Sequence, residues 1–297
     1  MGQITYQELF KDDRMRFAMS IINSAYASDS LDRLWIQKPG SVRYYLPMEI
    51  QYLAGAERDP QRRVFGVVHT ADFCVVHDPD SPTYRANPYG GEIAFIRTLQ
   101  PDDVAVINTP TGNEFPTDEE NERKWGGVWG GLLTALSLSY GAVGAVINGP
   151  IRDTNQINRY FQDEPFDPQS RHALEKALGK EASEANIKKI RAALLGREKF
   201  PVFGTGTAPT DSAYRVETYS VSKPIEIGGV AIRDRDFIVA DNDGKVIIPN
   251  EAIRDVLEMV VEIDAGDKDV WADALTRLAG FHRDSIDEIV ERHGGHL

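Results

Sequence analysis

Apolar residues recur along the chain with two different periods, and the switches between them predict the order of elements. Residues 5–34 carry a helical spacing, with Ser28 or Asp29 expected as an N-cap ahead of Leu31 and Leu34. β-branched and aromatic residues then crowd into RVFGVVHTADFCVV (63–76), a strand pattern. HDPDSPTYRANPYGG (77–91) reads as a long turn-rich loop. PDDVAVINT predicts a strand after a tight turn, and polar PTGNEFPTDEENERKWGG (110–127) a loop. A helix at 131–140 and an apolar strand at 142–148 complete a strand–helix–strand unit, right-handed if its strands are parallel neighbours. In the charged stretch 158–199, FDPQSRHALEKALG reads as one short helix and SEANIKKIRAALLG as another. The latter has Ile187, Ile190 and Leu194 on one face and Gly196 as its stop. Strand patterns resume at FPVFGTG and YRVETYSVSKPIEIGGVAI, and DFIVADNDGKVIIP (236–249) predicts two strands around Asn242-Asp243-Gly244. The tail from 250 to 294 reads as two or three amphipathic helices, with Ile253, Leu257 and Val260 on one face of the first.

Composition narrows the class. A chain of 297 residues with 41% hydrophobic content can bury a real core. No run of eighteen apolar residues is present and the N-terminus lacks the apolar centre of a signal peptide, so a soluble, cytoplasmic protein without a membrane partner is expected. The net charge of −13 argues against nucleic acid as a partner, since phosphate binding needs a basic field. A small anionic ligand needs only a local cation. Cys74 is the single cysteine, so no internal disulfide and no cysteine-based zinc site can form; its setting, ADFCVV, predicts a buried structural thiol. The six histidines show no metal-ligand spacing: His69 on a strand reads as structural, and His293 and His296 lie in the tail. Asp234-Arg235-Asp236 and Asp241-Asn242-Asp243 have the composition of cation sites, although a hairpin turn accounts for the second. GTGTAP (204–209) and GGVWGG (126–131) are glycine-rich without the dinucleotide fingerprint, and Trp125 and Trp129 flanking the second read as packing residues.

One stretch stands apart. WGGLLTALSLSYGAVGAVINGPIRD (129–153) is neutral until Arg152 and Asp153 close it. A helix beginning at Gly130-Gly131 leaves its first amide N–H groups unpaired and its positive dipole end open to an anion, and glycine permits close approach. If the terminal pair meets that helix start, amides, a guanidinium and a carboxylate form one site, suited to a small carboxylate held by Arg152 and a hard cation held by Asp153. The alternative is a charged pair capping a surface turn.

The same stretch resembles the signature of the RraA-like family, which includes metal-dependent 4-hydroxy-4-methyl-2-oxoglutarate / 4-carboxy-4-hydroxy-2-oxoadipate aldolases. That signature runs Gly or an acid, twenty residues, Arg-Asp, two residues, then Glu or Asp; Gly131, Arg152 and Asp153 stand at the matching positions. SDSLDRL (28–34), PDDVAVIN, PVFGTGTAPTDS (201–212) and the 236–249 hairpin resemble further family segments, so the likeness spans most of 25–265 outside the insertion. The resemblance implies an α/β fold with a three-layer β/β/α core. It implies a homotrimer or a dimer of trimers with sites at subunit boundaries. On this reading residues 1–297 form a single domain, with a helical insertion at about 158–199 and a C-terminal helical extension at about 265–297. It further implies that Arg152 holds a pyruvate-type carboxylate, that backbone amides from Gly130 and Gly131 to Leu132 and Leu133 bind the same substrate, and that Asp153 binds Mg²⁺ or Mn²⁺. The implied reaction is carbon–carbon cleavage beside a 2-oxo acid, aldolase or oxaloacetate decarboxylase in type, through an enolate stabilised by the divalent cation. Gln156 departs from the pattern: it occupies the position of the family acid, where it can hydrogen-bond but carries no charge, and with Gly131 also not an acid Asp153 is left as the evident charged ligand, which points to a weakly bound or water-rich metal. The rival reading is a non-catalytic protein-binding regulator, since the family's namesake inhibits a ribonuclease by binding it.

Overall fold

The computed structural model describes residues 3–38, 40, 42–109, 126–163 and 165–281, with Glu288 and Glu291 beyond. Trp125, His293, His296 and most of the 110–127 loop expectation lie outside the described residues. The N-terminal helices are α1 (Tyr6–Phe10), α2 (Asp13–Ile21) and α3 (Ser24–Arg33). Strands β1 (Gln51–Ala54) and β2 (Val64–Val75) follow, then the short helices α4 (Pro82–Ala86) and α5 (Gly90–Ile96) and strand β3 (Asp103–Asn108). Helix α6 (Gly131–Tyr140) leads to β4 (Gly144–Asn148) and β5 (Pro150–Ile151). Helices α7 (Thr154–Arg159), α8 (Pro168–Leu178) and α9 (Glu184–Leu195) come next. The chain finishes with β6 (Val202–Gly204), β7 (Gly206–Thr207), β8 (Val216–Val221), β9 (Ile225–Ile227), β10 (Val230–Ile232), β11 (Phe237–Ala240), β12 (Lys245–Ile248) and α10 (Ile253–Leu278).

The main sheet runs β1-β6-β4-β3-β2-β11-β12, with β8 also paired to β2. β2, β3, β4 and β6 are parallel, and β3 and β4 are apolar runs buried on both faces, as strands covered on two sides must be. Alternation then sorts side chains into layers. Val68, Val104, Val106, Val146, Phe203 and Ile238 face the β9–β10 hairpin. On the other face, Ala105, Ile107, Ala145 and Ile147 pack under Phe95 of α5 and Leu133 of α6. Farther along, Phe237, Val239 and Val246 pack against α2, α3 and α10. Hairpin, mixed sheet and helices make three layers, the expected β/β/α arrangement.

Three local expectations are corrected. Helix α3 starts four residues earlier than Ser28, because the side chain of Asn23 accepts from the Tyr26 N–H; Ser28 and Asp29 are mid-helix. The 77–91 span contains α4 and the start of α5, since Ser81-Pro82 is itself a helix start and Gly90-Gly91 opens the next turn. In the described part of the tail, residues 253–278 form one 26-residue helix, unbroken at Gly266, and most of residues 282–294 lie outside the described residues. Cys74 is half-buried instead of buried, beside Glu217 on the paired strand. The 158–199 helices do form, with Asp167 and Ser183 as N-caps, and α8 buries none of its residues. Among the described residues no helix is long and apolar enough to cross a membrane.

Candidate active site

Parallel pairing of β3 with β4 puts the C-terminal end of β4 beside the segment that enters α6. The Val128 N–H donates to the Pro150 carbonyl at 3.1 Å, and the Arg152 N–H donates to the Trp129 carbonyl at 2.8 Å. The glycine strip 126–131 thereby lies against the Arg-Asp pair. A Cβ at Gly130 would stand 2.8 Å from the Asp153 carboxylate, and one at Gly131 would stand 2.5 Å from the Gln156 side chain. Both positions need glycine for close approach.

Asp153 occupies the left-handed region (φ 57°), uncommon for a residue with a side chain, though aspartate tolerates it. It precedes α7 yet makes no side-chain cap there. Its carboxylate turns instead toward the start of α6, 3.4 Å from the Gly131 N–H and 3.5 Å from Arg152 Nε. These are long contacts, and they leave most of the lone pairs free. An aspartate that forgoes its own helix cap to face another helix start is oriented by something other than local stability.

Arg152 Nη1 lies 3.0 Å from the carboxylate of Asp211, a residue supplied by the loop after β7. The Tyr89 hydroxyl donates to Asp211 at 2.8 Å. Burial works to raise the Asp211 carboxyl, but the Tyr89 hydrogen bond and the Arg152 charge together hold it below the usual carboxylate range. The same hydrogen bond pushes the Tyr89 hydroxyl up to about 12. A cavity of about 180 Å³ lies among these groups, lined by Tyr89, Glu92, Gly130, Leu133, Arg152 and Asp211, with Leu132 and Asp153 also on its wall. Glu92, on the first turn of α5, is only 6% exposed, and burial is the main reason its carboxyl is raised to about 7.

Arg152, Asp153, Gly130, Leu132 and Leu133 therefore line one space, with Leu133 buried and Leu132 exposed, and Gly131 is off its wall with its N–H 3.4 Å from Asp153. Gln156 lines a neighbouring hollow on the other side of Asp153. Its amide donates to the Tyr160 hydroxyl at 3.0 Å, which donates to the Gly131 carbonyl at 3.1 Å, so it braces the first turn of α6. Trp129 is fully buried, stacked on Phe200 and bonded through Nε1 to Thr134. Sequence reasoning missed Asp211, Tyr89 and Glu92. Asp211 sits inside PVFGTGTAPTDS and could have been weighed there; Tyr89 falls in what reads as a loop, and Glu92 lies just past its end.

Among the described residues no three His, Cys, Asp or Glu side chains converge as a metal cluster. A hard cation of the magnesium type needs few protein ligands, because it keeps several waters and is held through one or two carboxylates. The sparsely engaged carboxylate of Asp153 fits that requirement.

The chain matches the RraA-like family, described as Aldolase/RraA, over residues 58–185 and 192–247. Protein DlpA of Legionella pneumophila is 26% identical over 136 residues, which are 46% of this chain and 16% of DlpA. The match thus spans a minor part of that relative's length. A protein from Pseudomonas syringae pv. tomato superposes with a TM-score of 0.59 at 17% identity, covering 97% of this chain and 99% of its own. Streptomyces coelicolor RraAS2, an unusual member of the RNase ES inhibitor RraA protein family, gives 0.53 at 20% identity, with 88% and 95% covered. At such identities the two structures speak to the fold alone.

Proposed function

The chain belongs to the RraA-like family, Aldolase/RraA, and from that premise we propose that it is a lyase dependent on Mg²⁺ or Mn²⁺ that cleaves a carbon–carbon bond beside the 2-oxo group of a small carboxylate. One observation carries this reading: the guanidinium of Arg152, the carboxylate of Asp153 and the amide end of α6 line a single small cavity. Arg152 directs Nε and Nη1 to Asp153 and Asp211, and its remaining N–H groups bind the substrate carboxylate. The N–H groups of Leu132 and Leu133, in the first turn of α6 and without helical partners, hold the same anion. Asp153 holds the divalent cation, largely through water. When bound, that cation supplies Lewis acidity toward the enolate charge left by cleavage. Gln156 acts from outside the cavity, through Tyr160 and Gly131.

The assembly belongs to the same proposal. We read the whole chain as one domain in a trimer or dimer of trimers, with α8, α9 and the exposed Trp271, Leu275 and Leu278 of α10 as added contact surface. Light scattering tests it, and a stable active monomer contradicts it. The activity test is pyruvate release from oxaloacetate and from 4-hydroxy-2-oxo acids, with Mg²⁺, Mn²⁺ or a chelator. Metal-dependent release supports the lyase; its absence with every substrate favours the protein-binding reading instead.

A further inference from the structure

Glu92 is a costly residue in its position. Its side chain is nearly fully buried, and its carboxyl meets the Ser212 hydroxyl. That hydroxyl also lies 3.3 Å from Asp211 and, having one proton, serves one carboxylate at a time. Among the described residues no cation forms an ion pair with Glu92, because Arg152 is engaged by Asp211 and Asp153. Buried carboxyls in packed cores are normally paired. This one lines the cavity that holds Arg152 and Asp153, where a ligand of a few heavy atoms reaches every wall.

We propose that Glu92 is the proton-transferring residue of the site when a 4-hydroxy-2-oxo acid is cleaved; the inference rests on the lyase reading above. The Glu92 carboxylate removes the proton from the 4-hydroxyl. That oxygen becomes a carbonyl, the C3–C4 bond breaks, and its electron pair passes to the 2-oxo acid fragment as an enolate. Glu92, now neutral, returns the same proton to C3. The products are a pyruvate-type acid and an aldehyde or ketone, with no proton left over and no further reactant needed. A carboxyl that must accept and return one proton works best when it titrates near the working pH.

The surroundings favour that titration. Tyr84 and Tyr89 stand on its own side and Asp211 and Arg152 across the cavity. α6, packed against α5, carries no charged side chain, and Glu217 on β8 instead accepts from the His77 N–H. Burial is the largest influence, with Asp211 adding to it and Ser212 and Arg152 opposing, and the carboxyl titrates at about 7.

Oxaloacetate provides the control, because it loses CO₂ to reach the same enolate and has no 4-hydroxyl proton to surrender. The experiment compares the wild type, Glu92→Gln and Glu92→Asp in Mg²⁺ on oxaloacetate and on 4-hydroxy-4-methyl-2-oxoglutarate and 4-hydroxy-2-oxopentanoate, across pH 5.5 to 8.5. Glu92→Gln should lower kcat on the hydroxy acids by about 100-fold or more and lower decarboxylation far less, because oxaloacetate needs only the return of a proton to the enolate carbon. Glu92→Asp should recover part of the lost rate. Wild-type cleavage of the hydroxy acids should rise with pH around a midpoint near 7, and decarboxylation should lack that rise; this arm needs no variant. Equal losses on both substrate types, or no loss, overturn the proposal for Glu92 and leave the lyase reading standing. A wild type that releases pyruvate from none of the substrates overturns both.

Discussion

The chain contains two arginine–aspartate clusters of nearly the same composition, and their side chains are engaged differently. In the first, Arg235 Nη2 lies 2.8 Å from Asp103, which is 1% exposed, and also reaches the Val68 carbonyl. The neighbouring Asp234 lies 3.0 Å from His69 Nδ1 and accepts from the Thr70 N–H at 3.0 Å. His69 Nε2 meets the Thr98 hydroxyl, and its ring stacks on Phe95. Asp236 accepts from the N–H groups of Arg233 and Asn250. These carboxylates and Nη2 of the guanidinium are spent on protein partners, so the composition of a cation site has become a strut between β2, β3 and β11. In the second cluster, Arg152, Asp153 and Asp211 are each about one-third exposed and face a cavity. Both clusters use a left-handed residue, Arg235 in one and Asp153 in the other. Charge content does not separate the two clusters; unspent hydrogen-bonding capacity facing a cavity does, and on that ground the second is the proposed site.

The contrast breaks most sharply under substitution. Arg152→Ala and Asp153→Asn should each cut turnover by about 1,000-fold, the scale of losing a charge-stabilising group at a reacting centre. Asparagine accepts the left-handed backbone, so thermal unfolding of Asp153→Asn should match the wild type. A variant that keeps wild-type turnover with unchanged metal dependence removes its residue from the mechanism.

Arg235→Ala should do the reverse, costing about 3 kcal/mol of stability by leaving buried Asp103 unpaired, with turnover per folded molecule kept. Burial already raises Asp103 above the ordinary carboxylate range, with Arg235 opposing, so removing Arg235 raises it further. The cost should therefore be larger at pH 8 than at pH 5, where Asp103 can take up a proton. Urea unfolding at the two pH values checks this; equal costs would mean that Asp103 is not the group left unpaired.

Glu92 gives a smaller effect of the same kind. A carboxyl raised to about 7 in the folded protein keeps its proton longer than in the unfolded chain, so folding stability falls as pH rises from about 4.5 to 7. Glu92→Gln should remove that fall and be more stable than the wild type at pH 8, by about 2 kcal/mol. Denaturant titrations that keep the wild-type slope in the variant would contradict it.

The smallest effect is expected at Gln156. In Gln156→Glu the new carboxylate adds negative charge next to Asp153 but also competes with the Gly131 carbonyl for the Tyr160 hydroxyl proton. Metal affinity should rise by about 1 kcal/mol or less, acting through water at a part-exposed site. Calorimetric Mn²⁺ titration reads it, and an unchanged or weaker affinity shows that position 156 does not face the metal.

Much of the second cluster is legible before folding because it is local. The helix at 131–140, the strand that follows and the pair at its end lie within twenty-five residues, and periodicity marks each. The 236–249 hairpin is legible for the same reason: Asp241 accepts from the N–H groups of Asp243 and Gly244 inside its own turn. What escapes is whatever tertiary contact decides. Glu92 and Tyr89 lie beside Asn87, Pro88, Gly90 and Gly91, which spell a loop, yet the helix forms because Phe95 and Ile96 bury beneath it. Asp211 is far from Arg152 in sequence, and parallel pairing of β5 with β7, together with the Gly127–Asp211 bridge, joins them. α10 runs unbroken through Gly266, held by the buried face from Ile253 to Ile263.

The comparison of the two clusters rests on one claim, that the open one takes up a cation and a small carboxylate together. Mn²⁺ binding followed by electron paramagnetic resonance, with and without pyruvate, tests it directly in the wild type, Asp153→Asn, Arg152→Ala and Arg235→Ala. The account predicts that the wild type and Arg235→Ala bind Mn²⁺ more tightly when pyruvate is present. It predicts that Asp153→Asn loses the cation and that Arg152→Ala loses the tightening. Mn²⁺ binding that is indifferent to pyruvate and to both substitutions would contradict it.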